Sequence, residues 1–313
     1  MSENVSKMLV LPQDGSEFAI KSIDYLNLMF GPTHNMDVVL FYILPSVPSA
    51  MRNAGQNNDK TAGHLKTVSQ RNEALADEIL GTAKDVLLGY NFLPERIKTV
   101  CKGCEQDIAK DIVDWSHKKT ADGILLNCHG RSRVEAFFMG EVSLKMLECS
   151  GSCPVMLLRG DVTKKDVLIA VDNSENALRA VDYAGFMLNG TDSRIILFHT
   201  KKSLRRFLPK SIFEDIPGFS ELWAEKSEEE IVPTMEKAKT MLIKAGIEED
   251  RIRAETFDGS RNPAKDILAA ADEYGCGTVV VGRQGESGHT GFALGAIARK
   301  LIDATNDMAI WVI

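Results

Sequence analysis

The stretch Val279-Val280-Val281-Gly282-Arg283-Gln284-Gly285 decides the fold of this chain, together with Gly295-Ala296 further along. The run of valines predicts a buried strand, and the glycines after it allow backbone amides to approach a ligand closely. Nine residues separate Gly285 from Gly295, where apolar residues with helical spacing begin. A strand, a glycine-containing turn and a helix N-terminus in this order are typical of a phosphate-binding cradle.

A second copy of this stretch lies in the first half of the chain. Residues 123–130 align with residues 278–285, and nine residues again separate Gly130 from Gly140. The halves also begin alike, because residues 8–17 match residues 166–175 and Asp14 thereby matches Asp172. The sequence therefore predicts two copies of one structural unit.

Each half alternates predicted strands with predicted helices. This alternation predicts parallel βαβ units with right-handed crossovers, and the nearly continuous apolar strands predict a sheet covered on both faces. We therefore predict an α/β fold of two tandem doubly wound domains, residues 1–160 and 161–313, which suits a chain of 313 residues.

One long connection follows the second strand of each half, over residues 45–72 in the first half and residues 201–233 in the second. Residues 53–63 are rich in Asn, Gly and Asp, which predicts a mobile segment. The second connection is predicted to be a surface excursion with a short helix, and the alternative is a lid over a ligand cleft.

Charge and composition exclude several classes of function. The chain has 37 Lys+Arg against 44 Asp+Glu, a net charge of -7, which offers no general attraction for nucleic acid or for anionic lipid. No apolar run approaches the roughly 20 residues that cross a bilayer, and residues 1–4 do not resemble a signal peptide. We expect a cytoplasmic protein with no nucleic-acid or membrane partner.

The Asp-x-Ser-Glu sequence after each first strand, the tandem halves and the Gly-2x-Gly-9x-Gly spacing resemble the universal stress protein family in its two-domain form. The resemblance spans nearly the whole chain except the long connections. It implies five-stranded parallel sheets of order 3-2-1-4-5, flanked by helices, and ATP or a related adenine nucleotide at the C-terminal ends of the strands. It also implies an internal domain pair through strand five, while a homodimer stays an alternative.

The second half holds the better preserved motif. In a sheet of this order the loops diverge between strands one and four, so Asp172 and Gly282 are expected to border one cleft. Ala296 stands where the family usually has Ser or Thr, and the missing hydrogen bond to a charged group is worth about 1.5 to 3 kcal/mol. Arg283 or Ser287 is a candidate for compensation, and helix capping is the alternative role for Asp172. The candidate nucleotide-binding residues are Val171, Asp172, Thr200, Gly282, Arg283, Gly285, Ser287, Gly295, Ala296 and Ile297.

The first half holds a degenerate copy of the site. Asp14, Gly130 and Gly140 remain, but Asn127 replaces the first glycine and Glu141 occupies the hydroxyl position. A carboxylate a few ångströms from a phosphate repels it by at least about 1 kcal/mol, even in water. We therefore predict that the first half is structural and holds no triphosphate.

Cysteines and histidines give weaker signals. The six cysteines are expected to be free thiols, although Cys101 and Cys104 have the spacing of a redox or zinc motif. Cys149 and Cys153 are expected at the opposite end of the sheet, which argues against a shared zinc site. No metal site and no catalytic residues are predicted, since no Walker loop, HExxH motif or nucleophile elbow is present.

The functional prediction is a cytoplasmic stress-response protein that binds ATP, with or without Mg²⁺, in its C-terminal domain and acts as a conformational or interaction switch. One alternative is an interaction module that binds no nucleotide and has no cofactor. A slow ATP hydrolase is a third alternative. Any enzymatic activity is therefore expected to be at most that of a weak ATPase.

Overall fold

The computed structural model describes residues 6–32, 35–56, 58–128, 139–201, 204, 207–259, 262–285 and 294–313, and it leaves aside the side chains of residues 55, 56, 128 and 139–141. The elements of the first half are β1 (Lys7–Pro12), α1 (Glu17–Phe30), β2 (Met36–Leu44), α2 (Ser49–Gln56), α3 (Asp59–Gly89), β3 (Ile97–Gly103), α4 (Ile108–Lys118), β4 (Gly123–Cys128), α5 (Met139–Cys149) and β5 (Val155–Arg159). Those of the second half are β6 (Asp166–Ala170), α6 (Glu175–Leu188), β7 (Ile195–Lys201), α7 (Lys210–Phe213), α8 (Phe219–Lys244), β8 (Ile252–Asp258), α9 (Pro263–Glu273), β9 (Cys276–Val281), α10 (Ala296–Ala304) and β10 (Met308–Val312).

The chain forms two compact units, Met1–Asn27 with Gly31–Cys153 and Leu28–Phe30 with Pro154–Ile313. In the first unit the strands are parallel in the order β3-β2-β1-β4. In the second unit the order is β5-β10-β9-β6-β7-β8, in which β5 alone among these strands is antiparallel to its neighbour. The predicted α/β fold is confirmed. The second half shows the whole order 3-2-1-4-5, and the first unit shows its first four strands.

The boundary that we predicted after residue 160 remains a prediction. The strand β5 belongs to the second compact unit, because its residues 155–159 pair with residues 308–312 of β10.

The strands form where the sequence is continuously apolar. All six residues of β9 are buried, as are all five of β10. The helices after β1 and β6 begin at serines whose hydroxyls cap them: Ser16 Oγ accepts from the Ala19 amide at 3.2 Å, and Ser174 Oγ accepts from the Ala177 amide at 3.1 Å. Such caps satisfy amides that a helix N-terminus leaves without partners, so the helix start is fixed directly after the strand.

The long connections are more helical than predicted. Residues 53–56 end α2 and residues 59–63 begin α3, whose first amides are capped by the side chain of Asn58 at 3.0 and 3.3 Å. The helix α3 continues because Ala76, Leu80, Ala83 and Leu87 bury one face of it. The second connection contains α7 and the 26-residue α8 rather than one short helix.

Candidate functional site

A cleft lies at the C-terminal edge of the second unit's sheet, where β6 and β9 are neighbours. Ile169 of β6 aligns with Val280 of β9, while the next strands outward are β7 and β10. The loops after β6 and β9 therefore diverge, which confirms the predicted switch point. The space between these loops is about 670 Å³ when the open mouth of the cleft is counted. It is lined by Ala170, Val171, Asp172, Ser174, Ala177, Phe198, His199, Thr200, Pro263, Ile267, Val281, Gly282, Gln284, Gly285 and Ile297.

Asp172 connects the start of α6 with the glycine turn. Its Oδ1 accepts hydrogen bonds from the amide of Ser174 at 3.0 Å and from the Ser174 hydroxyl at 2.5 Å. The N-cap of α6 is Ser174 itself, so Asp172 orients the cap instead of serving as the cap. Its Oδ2 faces Gly285, where an added Cβ would lie 2.6 Å from this oxygen. Gly285 thus allows the carboxylate and the turn after β9 to approach each other.

Gly282 allows β9 to pack closely on α6. A Cβ at this position would lie 2.8 Å from the carbonyl carbon of Asn176 and 2.9 Å from its oxygen, both of which are backbone atoms. Asn176 Nδ2 also donates to the carbonyl of Gln284 at 3.0 Å. Gly282 is therefore required by the packing of the helix on the strand, whether or not a phosphate is bound.

The turn before α10 is closed by its own backbone. The Gly295 amide donates to the Arg283 carbonyl at 2.8 Å, and a Cβ on Gly295 would lie 2.8 Å from the same oxygen. The amide of Gly295 is therefore engaged within the turn. The amides of Ala296 and Ile297, in the first turn of α10, are the kind of donor that a helix N-terminus presents to an anion.

Arg283 is buried, with 8% of its surface exposed, and its amide donates to the Ile313 carbonyl at 2.6 Å. The side chain of Arg283, a candidate to compensate for the missing hydroxyl at Ala296, is therefore largely withdrawn from solvent. The backbone of Arg283 therefore joins the end of β9 to the C-terminal end of the chain.

The opposite wall comes from β7 and α9. Thr200 Oγ1 donates to Asp266 Oδ2 at 3.2 Å. His199 Nδ1 lies 2.7 Å from the Val171 carbonyl, and since a carbonyl can only accept, Nδ1 carries the proton. Pro263 and Ile267 of α9 complete this wall. We did not predict these two residues from the sequence, because both are apolar and lie far from the glycine motif. They could have been proposed only from the topology, since the helix that follows the third strand leads back to the strands that flank the switch point.

Most of the predicted residues meet at this cleft. Val171, Asp172, Thr200, Gly282, Gly285 and Ile297 line it. Gly295 and the exposed Ala296 stand at the start of α10. Ser287 lies outside the described residues.

Comparison with known proteins agrees with this geometry. Residues 164–308 match the model of the universal stress protein family. The chain carries a universal stress protein domain. It is similar to universal stress protein YxiE of Bacillus subtilis, with 26% identity over 144 residues that cover 43% of this chain and 89% of the relative. It is also similar to universal stress protein MJ0531 of Methanocaldococcus jannaschii, with 22% identity over 50% of this chain and 84% of the relative.

A crystal structure of a universal stress protein from Archaeoglobus fulgidus superposes on the whole chain. The TM-score is 0.60 at 19% identity, over 99% of this chain and 96% of that one. At this identity the likeness concerns the fold alone, and it extends the fold beyond the universal stress protein domain to the first half.

The first unit has a second cleft at the matching edge of its sheet, of about 810 Å³ with its mouth included. Asp14 lines it and repeats the hydrogen bonds of Asp172, since its Oδ1 accepts from the Ser16 amide at 3.0 Å and from the Ser16 hydroxyl at 2.6 Å. Asn127 is buried at the end of β4. Gly140 and Glu141 lie in the first turn of α5, where the side chain of Glu141 is not described, and Gly130 lies outside the described residues.

Neither thiol of the pair Cys101, within β3, and Cys104, directly after it, has a lowered pKa. Burial raises the pKa values of both the Cys101 and the Cys104 thiol, and nearby carboxylates add to the effect. Raised pKa values disfavour the thiolate that redox chemistry and metal binding require. Among the side chains that the structure describes, no three His, Cys, Asp or Glu residues are placed to share a metal ion. In the same part of the chain, no helix is long and apolar enough to cross a membrane.

Proposed function

We propose that this chain binds ATP or a related adenine nucleotide in its C-terminal domain and acts as a conformational or interaction switch in a stress response. One observation carries the proposal. The cleft at the β6–β9 switch point is lined by Asp172, Gly285 and Ile297, so a carboxylate, a glycine turn and the first turn of α10 meet at one edge.

The donor set suits the parts of a nucleotide. Apolar side chains from both walls, including Val171, Ile267 and Ile297, can enclose a base ring. The carboxylate of Asp172 can accept from ribose hydroxyls, and the amides at the start of α10 can donate to phosphate oxygens. Mg²⁺ is proposed only as a companion of the phosphates, because it binds proteins mainly through a few carboxylates and substrate phosphates.

A path for switching starts at the cleft. Thr200 lines the cleft, and the next residue, Lys201, ends β7 and pairs with Glu228 of α8 at 3.0 Å and with Asp258 at 3.6 Å. The hydrogen bond to Glu228 raises the pKa of Lys201, so the ammonium stays charged across the physiological range. We propose that occupancy of the cleft changes the position of the connection that α7 and α8 form.

The test begins with ligand released from the denatured protein and identified by mass spectrometry. The purified chain should also be stabilised by millimolar ATP with Mg²⁺, by about 2.7 kcal/mol when the ligand is at 100 times its Kd. Gly295→Asp should remove the effect, because its Cβ meets the Arg283 carbonyl and its carboxylate repels phosphate. Gly63→Asp is a matched control, since a Cβ there meets nothing within 4 Å. Absence of both co-purified nucleotide and thermal stabilisation would refute the proposal.

Three further parts belong to the same proposal. We propose a cytoplasmic protein, at most a slow ATP hydrolase, in which domains pair through their fifth strands. The antiparallel pairing of β5 with β10 over five residues supports the last part. A homodimer is the alternative assembly, which the molar mass in solution would distinguish.

The second candidate function is an interaction module without nucleotide. Twelve large hydrophobic side chains are exposed among the described residues, and four of them lie within residues 207–222: Phe207, Ile212, Ile216 and Leu222. Several exposed apolar side chains within one connection favour a protein partner there. Replacing both Glu141 and Ala296 by serine discriminates the two candidates, because added hydroxyl donors should create or strengthen ATP binding only where the cleft is otherwise competent.

A further inference from the structure

The helices α3 and α8 match each other, since each lies between the second and the third strand of its half. Their buried residues repeat with the same spacing of four, three and four positions: Ala76, Leu80, Ala83 and Leu87 in α3, and Ile231, Met235, Ala238 and Leu242 in α8. With the two buried faces aligned, Ile79 of α3 corresponds to Thr234 of α8, and Glu78 corresponds to Pro233.

Both helices contact the turn of the Asp-x-Ser motif at these matched positions, but the contacts differ in kind. In the first unit Ile79 packs on Gly15, so closely that a Cβ on the glycine would lie 2.9 Å from Ile79 Cδ1. In the second unit Asn173 stands in place of this glycine, and the hydroxyl of Thr234 donates to Asn173 Oδ1 at 2.6 Å. An apolar contact thus holds the first turn. The second is held by an exposed hydrogen bond, which water can replace at little net cost.

Pro233 divides α8 into two parts. Proline has no amide hydrogen for the carbonyl of Glu229, and its ring crowds that carbonyl, so a proline inside a helix favours a bend there. The part after Pro233 keeps three of the four buried residues of the helix. None of residues 219–230 before it is buried, and we call these residues the arm. The helix α3 contains no proline.

The C-terminal cleft is connected to α8 on both sides of this proline. The residue after Asp172, which lines the cleft, receives the hydrogen bond from Thr234. The residue after Thr200, which also lines the cleft, is Lys201, the partner of Glu228 in the arm at 3.0 Å. Small movements at the ends of β6 and β7 therefore act directly on α8.

We propose that Pro233 is a hinge and that the hydrogen bond between Thr234 and Asn173 is a latch, by which occupancy of the C-terminal cleft sets the position of the arm. Since it regulates the same cleft, the latch presupposes the nucleotide binding proposed above. A ligand that draws Asp172 towards itself moves the adjacent Asn173 and opens the latch, and the arm then turns about the hinge. Because such coupling is reciprocal, a chain without the latch binds the ligand more tightly.

Trp223 of the arm offers a direct probe of this movement. The chain has three tryptophans, and 5-fluorotryptophan gives each of them a fluorine resonance: Trp223 in the arm, Trp115 in α4 and Trp311 in β10. The variant Trp223→Phe assigns the resonance of the arm. Titration of the full chain with ATP and Mg²⁺ should shift this resonance and saturate at the Kd that calorimetry gives, with Trp115 as the reference.

Three variants test the parts of the device. Thr234→Val removes the hydroxyl and nearly keeps the shape of the side chain, so we expect ATP to bind about five-fold more tightly and the ligand-free Trp223 resonance to lie closer to its ATP-bound position. Thr240→Val makes the same change at an exposed position of α8 and should behave as the wild type. Pro233→Ala should slow amide exchange in the arm by about ten-fold and abolish most of the Trp223 shift.

Calorimetry separates a failure of the latch from a failure of nucleotide binding. If ATP binds but leaves Trp223 unshifted, the latch is overturned and nucleotide binding stands. The latch is also overturned if Thr234→Val binds ATP no more tightly than the wild type, or if Pro233→Ala retains the full shift. If neither calorimetry nor thermal shift detects ATP binding, both proposals are refuted.

Discussion

The substitution Ala296→Asp separates nucleotide binding from folding, because the two effects are expected to have opposite signs. Ala296 is exposed and begins α10 directly after Gly295. A carboxylate in the first turn of a helix interacts favourably with the helix dipole, by about 0.3 to 1 kcal/mol. We therefore expect the free energy of unfolding of the variant to be unchanged or slightly higher.

The effect on affinity follows from Coulomb's law. A phosphate held by the first amides of α10 would lie roughly 5 Å from the new carboxylate. Each phosphate charge is then repelled by about 0.8 kcal/mol in water and by about 3 kcal/mol at the effective dielectric of a protein surface. At about 1.4 kcal/mol per factor of ten, we expect the Kd for ATP to rise between about 4-fold and 150-fold.

Isothermal titration calorimetry with ATP measures the change in Kd. The variant Ala296→Asn is the matched control, because asparagine has nearly the same shape as aspartate but no charge. The loss caused by Asp should shrink in 1 M salt, where the Debye length falls to about 3 Å. Equal affinities of the Asp and Asn variants would refute the placement of phosphate at α10. A large loss of stability in the Asp variant would refute the view of Ala296 as an exposed first-turn position.

Three other outcomes follow from packing and burial. Gly282→Ala should destabilise the fold by about 1 to 3 kcal/mol in chemical denaturation, because its Cβ would lie 2.8 Å from the Asn176 backbone. Burial lowers the pKa of Lys7 to about 8, so the unfolded chain binds more protons than the folded chain between pH 8 and about 10.5, and stability from this group rises over that range. Lys7→Met should therefore exceed the wild type in stability at pH 7 and lose up to about 3 kcal/mol of that advantage by pH 10.5. Burial raises the pKa of Cys276 to about 12, so iodoacetamide at pH 8 should label the exposed Cys101 and spare Cys276 in peptide mapping.

Each of these outcomes has a control. Gly63→Ala adds a Cβ that meets nothing within 4 Å, so a loss as large as that of Gly282→Ala would contradict the packing explanation. A stability difference between Lys7→Met and the wild type that does not vary with pH would contradict the depressed pKa. Native labelling of Cys276 at the rate seen in denatured protein would contradict its burial.

The parts of the fold that the sequence predicts are those with a local physical signature. The valines of β9 and the glycine after them mark a buried strand and a close approach, and the structure has a cleft at the sheet edge where this stretch ends. The extent of helix in the long connections was not predicted, because the sequence indicated a mobile segment at residues 53–63 and one short helix in the second connection. The helix α3 is held by a capping side chain, Asn58, and by contacts with the sheet that composition does not reveal.

The sequence motif also could not tell which glycine serves which purpose. Gly282 and Gly285 look equivalent as members of a phosphate loop. The structure shows that the first is constrained by the backbone of α6 and the second by the carboxylate of Asp172. Such a distinction depends on atoms more than a hundred residues away in the chain, and it becomes visible only when the neighbours of each Cβ position are known.

The difference between the two halves therefore does not lie in the Asp-x-Ser motif. Asp14 and Asp172 make the same two hydrogen bonds to the serine that caps the following helix, so this motif builds the turn in both halves. A residue needed for the turn in both units cannot by itself determine which unit accepts a phosphate. The residues that determine which unit accepts a phosphate must therefore lie where the halves differ, at the end of strand four and at the start of the next helix. There the second half has Gly282 and Ala296, and the first half has a buried amide and a carboxylate, Asn127 and Glu141. Of these two replacements, the carboxylate disfavours an anion by charge repulsion, whereas the amide leaves polar groups that have no hydrogen-bond partner among the described residues.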